Sequence, residues 1–259
     1  MFAQESIKVE EVTRELEAAR TAIGSGVDVA AFTKTALQAY RASVRGNGTI
    51  DVDLSESPRA LRDILGAGHR FQARFELPVE ADQLLLTRTH PLTERLANHV
   101  LNAALDPLLE GVARRCGVVR TRQVAKRTTV LLVRYRFHIV TKHAEGQQPL
   151  LAEDSEVLAF SGSPQNAEWL PAEVAESLLR AEPDANVSPD QARHFLQLLV
   201  DGFDAVRPRL EETAHERAAQ LLEAHRRVRV ASRAKGISHH VEPQLPPDVL
   251  GVYIYLPKV

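Results

Sequence analysis

The side chains that could do chemistry in this chain are cationic, and they come in blocks. Between Val112 and Lys142 lie Arg114, Arg115, Arg120, Arg122, Lys126, Arg127, Arg134, Arg136 and Lys142, with no acidic residue among them. The sign then reverses: His143 to Asp190 holds ten acids and one base, Arg180. It turns positive again from Ala224 to His240, through Arg226, Arg227, Arg229, Arg233 and Lys235. Guanidinium and ammonium groups at such density fit the neutralisation of a nucleic-acid backbone. The candidate phosphate contacts are Arg114, Arg115, Arg120, Arg122, Lys126, Arg127, Arg134, Arg136, Arg226, Arg227 and Arg229. Arg134 and Arg136 alternate with Leu131, Val133, Tyr135, Phe137 and Ile139, so on a strand they point away from the apolar face. A bland reading competes with this one. Glu153, Asp154 and Glu156 could oppose Arg134, Arg136 and Lys142 across a hairpin. Likewise, Arg226, Arg227 and Arg229 could be solvated cations suited to a helix C-terminus. Aromatic residues interleaved with basic ones, the usual mark of single-strand stacking, are nearly absent.

Other chemistries find less support. Of ten histidines, His239 and His240 are adjacent and point apart on a strand, and His215 and His225 are too far apart along a helix to share a metal. His90, in Thr89-His90-Pro91, sits at a strand-to-helix junction and suits a cap. Cys116 follows Arg114 and Arg115, which would favour its thiolate, but its apolar neighbours Val118 and Val119 favour a buried structural thiol. There is no Gly-x-Ser-x-Gly elbow, no Gly-x-x-x-x-Gly-Lys-Ser/Thr and no Gly-x-Gly-x-x-Gly. The sequence therefore predicts no catalytic residue, no metal ligand and no cofactor in this chain.

Composition sets the class. The chain has 259 residues, 44% of them apolar and 25% charged, with a formal net charge of -2. That apolar content is too high for disorder, and no apolar run is long enough for a membrane-spanning helix. One cysteine and no secretory signal predict a cytoplasmic protein without disulfides or membrane partners.

The elements that must carry these side chains read as α+β: an antiparallel sheet packed with helices, a helical N-terminal part and a long charged C-terminal helix. Helices are expected over 6–22 and 27–44, stopped by Gly24-Ser25-Gly26 and Gly46-Asn47-Gly48. A short strand over 49–54 and a short helix to Leu65 follow. Period-two alternation predicts strands over 70–77, 118–122, 130–140 and 150–160, the last two as an antiparallel hairpin. Further helices are expected from Pro91 to about Val112, over 171–180, from Ser188, and over 209–234, with Pro208 interrupting or kinking the chain. The last strand is expected at Val252 to Leu256. We expect a helical segment over 1–66 and an α+β domain over 67–259.

Four stretches carry a family likeness: Thr89-His90-Pro91-Leu92 entering a helix, RCGVVRTRQVAKRTTVLLVRYRFHI, LLAEDSEVLAF and EPQLPPDVLGVYIYLP. Together they resemble the region C-terminal to the motor in bacterial SNF2-type helicases of the RapA-like kind, which includes the DISARM antiphage helicase. The resemblance implies a fragment or detached accessory part whose ATP and Mg²⁺ sites belong to a separate motor. Two functions follow as expectations. One is an accessory module that binds DNA through its phosphates or regulates a motor. The other is a protein-interaction scaffold in which the acidic segment and the charged helix dock on helicase lobes or another defence protein. An enzyme with its own small-molecule site is the weakest reading, because no acid–base pair stands at a diagnostic spacing.

Overall fold

The computed structural model describes residues 29–106, 111–143, 146–231 and 238–258. The chain divides into two compact units at Arg114/Arg115. The helix expected over 6–22 lies outside the described residues.

The first unit contains α1 (Val29–Ala39), β1 (Ser43–Arg45), β2 (Ile50–Asp53), α2 (Arg59–Leu65), β3 (Arg70–Arg74), β4 (Gln83–Leu85) and α3 (Pro91–Leu105). Its sheet has the order β1-β2-β3-β4, antiparallel except for the β3–β4 pair. Leu37, Ile50, Leu54, Leu61, Leu86 and Leu96 fill its core. The domain boundary expected after residue 66 falls inside this unit. β2 pairs with β3 across that position, and a division there would leave both strands with unpaired backbone. The second expected helix also ends early. Ser43–Arg45 pairs with Asp51–Asp53 instead, because Gly46 adopts φ 98° and closes a hairpin there. A Cβ at Gly46 would collide with the Thr49 carbonyl.

The second unit contains β5 (Cys116–Thr121), β6 (Thr128–His143), β7 (Gly146–Ser161), β8 (Glu168–Trp169), α4 (Ala172–Leu178), β9 (Ala185–Asn186), α5 (Pro189–Asp201), α6 (Arg207–Ala231) and β10 (Ser238–Pro257). Its sheet runs β8-β7-β6-β10-β5-β9, antiparallel except for β10–β5. The expected hairpin is present and longer than its apolar core: β6 and β7 pair from Thr128↔Ser161 to His143↔Gly146. The α+β class stands, with helices packed on a mostly antiparallel sheet.

Local chemistry explains most boundaries. Ser188 accepts a hydrogen bond from the Gln191 amide and caps α5, with Pro189 at its first position. Pro208 lies in the first turn of α6, where its missing amide costs nothing, so it helps open that helix. The final strand starts at Ser238, well before the expected Val252. Its prolines concealed the pattern, but Pro246 and Pro247 fall in an irregularity between Gln244 and Asp248, where strand prolines are tolerated.

The alternation in β6 decides the packing. Leu131, Val133, Tyr135, Phe137 and Ile139 are buried with Val206, Leu210, Ala214 and Ala218 at and along α6. Among the described residues, part of the opposite face is covered where Val130, Ala159 and Tyr255 meet Ala175 and Leu178 of α4. We predict that Leu131→Ala lowers the unfolding free energy by about 2–5 kcal/mol in urea melts. Leu151→Ala, on the opposite face of β7 and exposed, should stay within about 0.5 kcal/mol.

Candidate functional site

The basic block maps onto β5, β6 and the loop between them, and most of its cations are held by groups of the same unit. Arg115 donates to the carbonyls of Leu250 (2.7 Å) and Val249 (2.8 Å), bracing β10 next to its register shift. Arg120 donates to the Pro257 carbonyl at 3.2 Å and reaches Gln191 of α5 at 3.5 Å. Arg122 faces Asp184 at 3.5 Å, and Lys126 faces Glu168 at 3.3 Å. Arg127 donates to the Gly162 carbonyl at 3.0 Å.

Arg134 and Arg136 do point away from the apolar face, as the alternation requires. Their main partner is Asp248 of β10. Its Oδ2 lies 2.8 Å from Arg134 Nη2 and 3.1 Å from Arg136 Nη2, and all three side chains are about one-third exposed. Glu153 adds a contact to Arg134 at 3.9 Å. The internal pairing weighed in the sequence is therefore present in a different form. Glu153 stands opposite Arg136, but Asp154 and Glu156 lie on the other face by parity, and Lys142 stands opposite Gln147. Glu156 is bidentate with Arg217 of α6, at 2.9 and 3.0 Å, in a mostly buried pair. Burial, with the Glu156 charge nearby, pushes the Tyr135 phenol above its ordinary range. The Glu156 hydrogen bond, in turn, holds Arg217 more firmly protonated.

The candidate residues do not gather on one face. Arg120 reaches α5, which packs on the side of the sheet that α6 covers. Arg134 and Arg136 occupy the reverse side. Arg226 and Arg227 are exposed on α6, with Arg226 3.9 Å from Glu223. Arg114 belongs to the first unit. The Arg229 side chain, together with Arg233 and Lys235, lies outside the described residues.

Two features escaped the sequence reading. Asp248 had no periodic signal, because the prolines before it hid the strand. Glu156 did carry one: an acid at an apolar-face position between Ala152 and Leu158 of β7 implies a buried partner. Cys116 is exposed, contrary to the buried thiol expected, because it begins a strand near the edge of the sheet. His90 does cap α3, accepting from the Leu92 amide at 3.2 Å. His239 and His240 do point apart. The first stacks on His225 with ring centres 4.9 Å apart, and the second meets Glu242 at 2.8 Å. Among the described residues, no group of three or more His, Cys, Asp or Glu is placed to hold a metal. Two open clefts of about 410 and 430 Å³ lie in the first unit.

Asp248→Asn leaves Arg134 and Arg136 side by side without the carboxylate charge they share, and should cost about 1–3 kcal/mol in denaturant melts. A second prediction concerns acid. The Arg122 backbone amide, aided by the Arg122 and Lys258 charges, holds the Asp184 carboxyl below its usual range. Ser161 and Lys126 do the same for Glu168. A depressed folded-state pKa stabilises the protein above the unfolded value, near 4, and that contribution is lost as pH falls through the folded value. Thermal melts should therefore decline below about pH 4, and Asp184→Asn should flatten the decline.

No curated protein matches the chain. A family model described as a domain of unknown function matches residues 106–259, which span the whole second unit and more than half of the chain. The chain belongs to this family, DUF8741.

Proposed function

We propose that this chain is a non-catalytic docking module for another protein, built on the sheet of its second unit. One observation carries the reading. The basic block that suggested phosphate binding is largely committed to acceptors within the unit, and its members are divided between the two faces of the sheet. A surface that tracks a phosphate backbone needs cations that converge and stay available to release counterions. The acids of the following segment are distributed differently. Glu173, Glu176 and Glu182 are exposed on and after α4, and Glu153 and Asp154 lie on a strand whose outer edge is largely open among the described residues. The likeness to the region after an SNF2-type motor makes the motor lobes of such a helicase the first partner to test.

The exposed Arg226 and Arg227 near the end of α6 favour DNA binding as a second reading. The two readings separate in one pair of experiments on the full chain. Fluorescence anisotropy with labelled duplex DNA is run at about 50 and 200 mM salt, and capture of purified SNF2 motor lobes is measured in parallel. Docking predicts that Arg134→Gln with Arg136→Gln lowers thermal stability but leaves any DNA affinity and its salt slope unchanged. It also predicts that Glu173→Lys with Glu176→Lys weakens capture of the lobes, whereas Arg226→Glu with Arg227→Glu does not. A salt slope that falls by about one per arginine removed would instead establish phosphate contacts and overturn the docking reading.

A further inference from the structure

The outer edge of β7 is the least finished part of the sheet. β7 pairs with β6 along its whole length, but on its other side the pairing in the sheet is with the two-residue β8, at Phe160↔Trp169 and Ser161↔Glu168. The Leu170 amide adds one hydrogen bond to the Ala159 carbonyl. Along Gly146–Leu158, the described residues provide no neighbouring strand on that side. A strand edge of this length presents a row of backbone donors and acceptors to any extended segment that reaches it.

The side chains along this edge fall into two parts. Gly146 to Ala152 carries no charge, and Leu150 and Leu151 are 59% and 51% exposed, one on each face of the strand. Glu153 and Asp154 follow, again one on each face, with Glu153 about half exposed. Proteins guard open edges with charges, prolines and bulges. Here Pro149 and the two acids give only partial cover, and two leucines are left in water beside them. Leucine exposed on both faces of a strand with an open edge costs solvation that an added strand would recover.

We propose that the β7 edge accepts an extended segment of a partner protein as an additional strand, and that this segment carries apolar residues followed or preceded by lysine or arginine. The proposal rests on the docking reading above and names its contact. Main-chain pairing along Gln147–Leu158 supplies affinity. The leucines and the adjacent acids supply specificity, since charge pairs across neighbouring strands discriminate by sign.

The test uses the full chain and two synthetic peptides, one alternating valine with lysine and the other valine with glutamate. Hydrogen exchange of the β7 amides is followed during titration. The lysine peptide should slow exchange over 146–158 and bind about tenfold more tightly than the glutamate peptide. Glu153→Lys with Asp154→Lys should reverse that preference; it also removes the Glu153–Arg134 contact, so a cooperative melt, lowered but intact, is required of the variant before its peptides are compared. Protection at another surface, equal binding of the two peptides, or no binding of either overturns the proposal. Self-association through β7, seen as a concentration-dependent dimer by sedimentation, overturns it in favour of a second copy. The broader docking reading fails separately. If the lysine peptide binds at β7 with the charge reversal intact but the motor lobes are not captured, the edge stands and the motor is not its partner. If the lobes are captured equally well by the β7 charge-reversed chain, docking stands and the edge fails.

Discussion

Burying Leu131, Val133, Tyr135, Phe137 and Ile139 against α6 fixes where the other side chains of the central strands can point. In a strand of sixteen residues the parity cannot slip without turning five large apolar groups into water, a loss of several kcal/mol. Once that parity is set, Arg134 and Arg136 must emerge on the opposite face. Through the pairing with β7, Glu156 must then fall on the α6 side, where Arg217 meets it. Through the pairing with β10, Asp248 comes to stand opposite Arg134, within reach of both arginines. The charge pattern of the unit is thus a consequence of its apolar packing.

The irregular course of β10 adjusts this frame at one point. Four steps along β10, from Gln244 to Asp248, match two steps along β6, from Arg136 to Arg134. The extra residues include Pro246 and Pro247, which could not have continued a regular ladder in a central strand. The shift delivers a carboxylate to a site flanked by two guanidinium groups. A second shift, between Val249 and Gly251, exposes the carbonyls that Arg115 binds. Irregularities of this kind commonly re-aim side chains, and here both of them end at an arginine of the basic block.

Much of this fold was legible in the sequence wherever a period was clean. The β6–β7 hairpin followed from alternation, and α5 from Ser188-Pro189 and its apolar stripe. Legibility failed where local signals and long-range pairing disagreed. The prolines of β10 read as loop, although pairing with β6 on either side of the irregularity holds that segment extended. The division of the chain was misplaced because the β2–β3 pairing joins residues on either side of position 66, and nothing local in the sequence marks that pairing. The charge blocks were visible but their meaning was not. Sequence shows how many cations lie together, whereas the availability of each depends on carboxylates and carbonyls brought from as far as 114 to 137 positions away.

If the cations of the basic block are structural, Arg136 and Asp248 must be energetically coupled. A double-mutant cycle with Arg136→Gln, Asp248→Asn and the combined variant, read by urea unfolding of the full chain, measures that coupling directly. We predict a favourable interaction of about 0.5–3 kcal/mol, with the double variant losing less than the sum of the single ones. Strict additivity, together with unchanged stability of Arg136→Gln, would show that the arginine is not committed to the fold and would contradict the account.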